Sequence, residues 1–455
     1  MPKRALVTFA VTLLFVVSFL TLQAFADSQV RIVRLSTVDG SVQIDRAVGE
    51  GFEKAMANLP ITQGAKLRAE GEGRAEIEFE DRSTVRIVSR SAVDFPLLSL
   101  RDSGARATTV HVQEGTIYVT FAGKKDDEFA VSFGRETIHL TEPVHFRVEM
   151  NDTTAVLAVF KGDLTVEGPA GKVDVSKKQS VTFDLADSDR FKLSKNLAEL
   201  PFDEWDKKQD QYHDAYLARN SSNISPYAYG MSDLNYYGNF FNLAGYGTLW
   251  QPYFIGAGWD PFMSGAWAWY PDSGYMWVSS YPWGWMPYRY GSWLFVPSYG
   301  WAWQPGSTWN SWGAMPVVRN APPNFATPRP PAFNAPVRNT LMVNRGINAP
   351  AAGFSGSKVV LRTNSAGLGV PRGGIRNPAQ VSQELTQRGS MTVHVQRPPA
   401  ATPPRSASPV WVNPSSGQGY PPSGSASAPS GMAPVSSRPA ASAPAPRSAG
   451  PSPRR

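Results

Sequence analysis

A chain of 455 residues without a single cysteine can build no disulfide, thiolate zinc site, CxxC redox centre or cysteine nucleophile. Its five histidines are His111, His139, His145, His213 and His394, and none stands in an HExxH or paired-ligand spacing. His139 and His145 could share a face of paired strands, but isolated histidines in strand patterns usually pack across strands, so no metal and no cofactor is expected. There is no GxSxG elbow and no GxxxxGK[ST] loop, and Gly367-Leu-Gly-Val-Pro-Arg-Gly has the wrong spacing, with proline where a helix would start. Glu76, Glu78 and Glu80 alternate with Ala75, Ile77 and Phe79, which reads as the solvated face of a strand. Nothing here points to an enzyme.

The residues suited to binding are aromatic. Twelve of the 14 tryptophans lie between 250 and 312, where the only charges are Asp260, Asp272 and Arg289. A shift of 26 residues superposes Gly258-Trp259 on Gly284-Trp285, Gly265 on Gly291, Trp267 on Trp293, Pro271 on Pro297, Gly274 on Gly300 and Trp277 on Trp303, with Trp269 facing Phe295 and Tyr275 facing Trp301. Trp267 and Trp269 are two apart, so in a strand their rings share a face, and Pro271 to Gly274 fits a turn before the returning Trp277. Each unit is thus expected to be a small aromatic hairpin. Aliphatic residues are scarce, so rings must supply whatever core forms there. The rings left over, with candidates Trp259, Trp267, Trp269, Trp277, Trp285, Trp293, Trp301 and Trp303, would stack on sugars or quaternary ammonium groups. The segment lacks the basic groove that nucleic acid requires.

The elements that would position these rings fall into zones. Between 29 and 190, apolar and polar residues alternate over Val30–Leu35, Ser41–Ile44, Ala75–Phe79, Thr84–Val88, Thr108–Val112, Thr116–Phe121, His145–Glu149, Thr154–Phe160 and Leu164–Glu167. That is the period of half-buried strands, with glycine-marked turns between them. Residues 196–219 change to helical spacing, with Leu197, Leu200, Trp205, Tyr212, Tyr216 and Leu217 among charges, and read as a linking strut. The aromatic region spans 227–316 and is expected to be a separate hairpin array. The tail, 317–455, holds 24 of the 39 prolines and fifteen Lys and Arg against Glu384 alone. Its surplus of +14 leaves −7 on the rest of a chain whose net charge is +7. This composition reads as mostly disordered. One island stands out: Asn377 as cap, Pro378 in the first turn, a helix to Arg388 before Gly389, then a strand over Thr392–Val395.

At the N-terminus, Lys3 and Arg4 precede an apolar run from Ala5 to Leu22, and Ala24-Phe25-Ala26 offers the small residues of a cleavage site. Residues 1–26 are therefore expected to be a signal peptide, which places the protein in the periplasm or on the surface of a bacterium. It would be anchored in the inner membrane if the segment is retained.

The stretch Leu59–Ile87, with its Gly64-Ala-Lys-Leu turn and Ala75–Ile87 hairpin, resembles the core of the FecR domain, whose pattern is L-x-x-G-D-x-L-x-T followed by S-x-A-x-L-x-F-x-D-G-S-x-V-x-L. Val159-Phe-Lys-Gly-Asp-Leu-Thr-Val and Lys178-Gln-Ser-Val are similar to later segments of that family. Ala65 and Arg82 replace its usual Asp and Gly, and Glu142-Pro143 its usual Gly-Thr. The aromatic block resembles a Trp- and Tyr-rich region that follows a FecR domain in exported bacterial proteins. These readings together give a mainly β chain: a FecR-like antiparallel β module, a short linking helix, aromatic β-hairpin repeats and a disordered Pro/Ala/Ser/Arg-rich tail. With four residues before the apolar run, the cytoplasmic segment by which FecR governs a sigma factor is not expected. The role expected is non-enzymatic sensing or binding in the envelope. Its partner would be a cell-wall polymer, glycan or envelope protein, and the basic tail would face an anionic surface. A structural scaffold without a specific ligand and an envelope hydrolase are the alternatives.

Overall fold

Alternating apolar side chains leave one face of each early strand to be covered, and the chain covers it by curling one sheet around itself. The computed structural model describes residues 31–395 apart from 124–125, 188, 218–228, 272, 310–314, 333–337 and 346–357. Residues 1–26, assigned above to a signal peptide, and the tail beyond 395 lie outside these. Among the described residues, no helix is long and apolar enough to cross a membrane.

Fifteen of the described strands join in one sheet. The strand Arg106–Phe121 is its spine: its first half pairs with Ser91–Leu100 and, in parallel, with Glu128–Phe133, and its second half with Thr84–Ile87 and Val144–Met150. Val33–Asp45 pairs along nearly all of Lys66–Glu78, with register shifts near Gly40. The inward residues of all these strands, including Leu35, Ile77, Val119, Phe146 and Leu157, fill a single apolar core. Several runs read separately in the sequence, such as Thr108–Val112 and Thr116–Phe121, are one long strand. The turn at Arg82 keeps its left-handed conformation, φ 76°, although arginine stands where the family pattern has glycine.

The strut is helix α1, Asp203–Leu217. Asp203, Glu204 and Asp206 fill its first turn, where carboxylates are favoured by the helix dipole. Trp205 packs with Phe202 onto Val88, Tyr118 and Phe160 of the sheet's outer face. Helix α2, Met231–Tyr237, leads into three aromatic hairpins, interrupted by the short helix α3, Met286–Arg289. The hairpins are Gly238–Leu243 with Gly247–Pro252, Ser264–Tyr270 with Gly274–Ser279, and Tyr290–Val296 with Gly300–Trp309.

The second and third hairpins are the two units read from the 26-residue shift, and their pairings match: Trp267 opposite Trp277 and Trp293 opposite Trp303. The first is a copy that the shift did not disclose. In each, a glycine precedes the closing tryptophan by twelve residues, as Gly238 and Trp250, Gly265 and Trp277, Gly291 and Trp303. The indole lies over that glycine: a Cβ there would stand 2.4 Å from Trp250, 2.3 Å from Trp277 and 2.9 Å from Trp303.

Two expectations are corrected here. The aromatic region is not a separate array, because Ala268, Tyr270, Met276 and Val278 belong to the core of the large sheet. Within the tail, read above as mostly disordered, the described parts of 317–395 contain strands: Val317–Arg319 adds in parallel to the third hairpin, Leu341–Asn344 adds to the second, and Lys358–Arg362 pairs with Ser390–His394. The first two of these strands borrow their partners from the hairpins, which a reading of composition cannot see, and the last two pair with each other. The island is helix α4, Pro378–Arg388, capped by the Asn377 side chain on the Gln380 amide and ended by Gly389 at φ 77°. Leu385 inserts into the aromatic core with Val359 and Leu361.

Candidate functional site

Where α1, α2 and the sheet's outer face meet, the chain buries an unusual density of charge. The alternation that points Ala75 and Ile77 inward points Glu76 and Glu78 outward, yet both glutamates are buried. This corrects the reading of Glu76, Glu78 and Glu80 as a solvated face: α1, α2 and the hairpins cover it. The register places opposite charges side by side, with Arg34 across from Glu78 and Arg86 across from Glu76. Tyr118 and Arg147 continue the row on the next two strands.

Glu76 is the hub. Its carboxylate accepts from Arg86 Nε at 2.8 Å, Arg372 Nη1 at 2.6 Å and Ser36 Oγ at 2.6 Å, and His213 Nε2 lies 3.0 Å away. Glu78 accepts from Arg34 Nη1 at 3.0 Å and from the Gly230 amide at 3.0 Å. Asp233 of α2 lies 2.7 Å from Arg34 Nη2 and receives Nε and Nη2 of Arg372, each at 2.8 Å. Arg34 Nη2 also reaches the carbonyl of Pro282 at 2.7 Å, so one guanidinium ties sheet, α2 and hairpin region together. Asn58 adds bonds to the carbonyls of Ser279 and Tyr281. On the α1 side, Arg86 Nη1 sits 2.6 Å from Asp206 and 2.8 Å from Asp210, Arg147 Nη1 donates to Asp203 at 2.5 Å, and the Tyr118 hydroxyl donates to the same carboxylate at 2.8 Å.

Desolvation disfavours the ionised carboxylates, but the surrounding cations win. Burial pushes Glu76 upward, and His213, Arg372 and Arg86 outweigh it and hold the carboxyl well below its ordinary range. In the same way Arg86 and His145 depress Asp206, and Arg372 and Arg34 depress Asp233, each against the cost of burial. All these carboxylates are therefore charged at neutral pH. The Tyr118 phenol is pushed up by burial and by the charge of Asp203, and stays protonated.

The donor atoms of His145, Asp206 and Asp210 lie within 4.8 Å of one another, as a metal trio would. Arg86 Nη1 bonds both aspartates, so a guanidinium supplies the positive charge a metal would bring. His139 lies on an exposed position of its strand, apart from His145, which is under α1 and 2.7 Å from Asp206. The arrangement works as an electrostatic clamp that joins the large sheet, the strut and the aromatic hairpins.

The candidate tryptophans lie elsewhere. Trp259, Trp267, Trp277, Trp285, Trp293, Trp301 and Trp303 are no more than 4% exposed and form one aromatic core with Trp250, Trp283, Tyr281 and Tyr288. A ligand could stack on those seven only by displacing core neighbours, which narrows the surface candidates to Trp269. That ring is half-buried and carries the Arg338 guanidinium at 4.8 Å. The rings are drawn inward because the region holds few aliphatic residues to do their work. Apart from Glu76 and Glu78, read above as a solvated face, the clamp residues carry no motif in the sequence. Their only signal is parity, since Arg34, Glu76, Glu78, Arg86 and Arg147 sit at the outward positions of apolar strands.

Residues 65–165 match the family described as FecR protein, and residues 231–321 match a family of unknown function, DUF6600. The chain thus carries a FecR family domain followed by a DUF6600 domain. The second match begins at α2 and includes all three hairpins. No curated protein matches the chain. Among solved structures, a Parabacteroides distasonis protein described as an anti-sigma factor, solved at 1.65 and 2.50 Å, is similar at 12% identity over 29% of this chain and 59% of its own length. The TM-score is 0.26, too low to carry an argument.

Proposed function

We propose that this protein is a non-enzymatic sensing or binding protein of the bacterial cell envelope, in which the FecR and DUF6600 domains act as one body. The observation that carries this reading is the clamp. Its buried carboxylates are closed on guanidinium groups, so this cluster of titratable side chains among the described residues serves to join two domains. The FecR domain is in keeping with a regulatory role. The partner is a cell-wall polymer, glycan or envelope protein, met by the outer surface of the joined body, with the basic tail adding attraction to anionic surfaces.

Retention of the full chain on purified cell-wall glycan and on membrane vesicles, at low and high salt, tests this. Binding that persists in high salt supports a specific partner, and a component lost with salt belongs to the tail. Loss of the persistent part in Trp269→Ala would place the partner on the one accessible candidate ring. Absence of any salt-resistant retention favours a scaffold, and hydrolytic turnover of the glycan would overturn the reading.

A further inference from the structure

Helix α3 ends on Arg289, and its side chain differs from every arginine of the clamp. Arg289 is 3% exposed. Its Nη1 reaches only the Tyr288 carbonyl, at 3.4 Å, and Nε and Nη2 have no hydrogen-bond partner among the described residues. The Trp285 ring lies 5.3 Å from the guanidinium carbon. The titratable groups that bear on it are the phenols Tyr270, Tyr229 and Tyr290, with no carboxylate among them. Burial pulls the guanidinium down to about 10, so it remains charged at neutral pH.

A buried guanidinium without a counter-charge is costly, and an aromatic face offers attraction but no acceptor for the N–H groups. The molecule itself shows what the free edge is shaped for. In Arg31, Nε and Nη2 each lie 2.8 Å from the two oxygens of Glu80, and in Arg372 the same two nitrogens lie 2.8 Å from the two oxygens of Asp233. That edge is the parallel two-donor fork that matches an oxoanion.

We propose that the Nε/Nη2 edge of Arg289 is a binding site for a small oxoanion, a carboxylate or phosphate group, seated inside the DUF6600 domain. Trp285 backs the guanidinium. The site takes the anionic group itself and not an extended ligand, since Arg289 is enclosed. It depends neither on export nor on a polymer partner.

Thermal unfolding of the full chain in acetate, in inorganic phosphate and in chloride at matched pH and ionic strength tests this. A ligand that binds only the folded state raises the midpoint with concentration. Expected is a rise of about 4 °C over chloride once the anion exceeds its dissociation constant about a hundredfold. A rise in acetate alone assigns a carboxylate, and one in phosphate alone a phosphoryl group. Arg289→Lys keeps the charge but loses the fork, so it should need at least about tenfold more anion for the same rise, and Arg289→Met should show none. If Arg289→Met does not fold, the lysine variant decides. No rise over chloride in the natural protein, or an undiminished rise in Arg289→Lys, overturns the site.

Discussion

Replacing Glu76 by glutamine removes one charge from the hub of the clamp while keeping its shape. The carboxylate has Arg86, Arg372, His213 and Ser36 within 3.0 Å, and its side chain is 0% exposed. Breaking a buried ion pair by removing one partner costs roughly 3–5 kcal/mol. Arg372 retains Asp233, Arg86 retains Asp206, and glutamine keeps one acceptor oxygen, so the lower end, about 3 kcal/mol, is expected. At roughly 1.5 °C per kcal/mol for a single body of more than about 300 residues, the midpoint should fall by about 4–5 °C at pH 7. Calorimetry of Glu76→Gln beside Glu167→Gln provides the measure, because Glu167 forms an exposed pair with Lys172 and its loss should leave the midpoint unchanged. Arg372→Met added to Glu76→Gln should lower the midpoint further, because it strips both guanidinium bonds from Asp233, but by less than the sum of the two single changes, since both remove the Glu76–Arg372 pair. The pH dependence has a definite sign. A carboxyl held below its ordinary value contributes stability in full above that value and loses it as pH falls through the folded one. The difference between the natural protein and Glu76→Gln should therefore be complete above pH 4.5, the ordinary value for glutamate, and shrink below it. A Glu76→Gln protein as stable at pH 7 as Glu167→Gln, or a difference that persists unchanged into acid, would refute the clamp.

Glu136 carries the opposite sign: burial, then the charge of Asp189, raises its carboxyl to about 7, and its Oε1 is buried without a hydrogen-bond partner. The stability it contributes is present below pH 4.5 and lost as pH rises through about 7, so Glu136→Gln should match the natural protein in urea at pH 4 and exceed it at pH 8. Arg82 holds φ 76° at an exposed turn position, a conformation that costs a non-glycine residue roughly 1–2 kcal/mol; Arg82→Gly should raise stability by about 1 kcal/mol after the entropy of the unfolded glycine is charged against it, and a lower unfolding midpoint in urea would count against that account.

The strands were legible because alternation reports which side chains face a sheet's interior, and Ala75, Ile77 and Phe79 do. Alternation is silent about what lies against the other face. Glu76 and Glu78 would look the same under water or under α1 and α2, and only the register that sets Arg86 and Arg34 beside them tells the two apart. Helix α4 was legible from its ends, since Asn377, Pro378 and Gly389 each meet a local backbone need. The hairpins were legible where tryptophan repeats. The first escaped because Phe240 and Asn242 stand where the second has Trp267 and Trp269, although its glycine and closing tryptophan keep their spacing. Arg372 could not have been found, because its partners lie 139 and 296 residues away and its own surroundings read as a loop.

That separation bears on the order in which the molecule is assembled. Chains emerge from the ribosome N-terminus first, at roughly 5–20 residues per second, so roughly 15–60 s pass between Glu76 and the arginine 296 positions later that completes its shell. Through that interval the FecR sheet can form its apolar core, but Glu76 and Asp233 lack the guanidinium they share. The last partner to arrive is the one that bridges both. A chain cut short before residue 372 would keep both family domains and the tie that Arg34 makes between them, and would lack the guanidinium that Glu76 and Asp233 share.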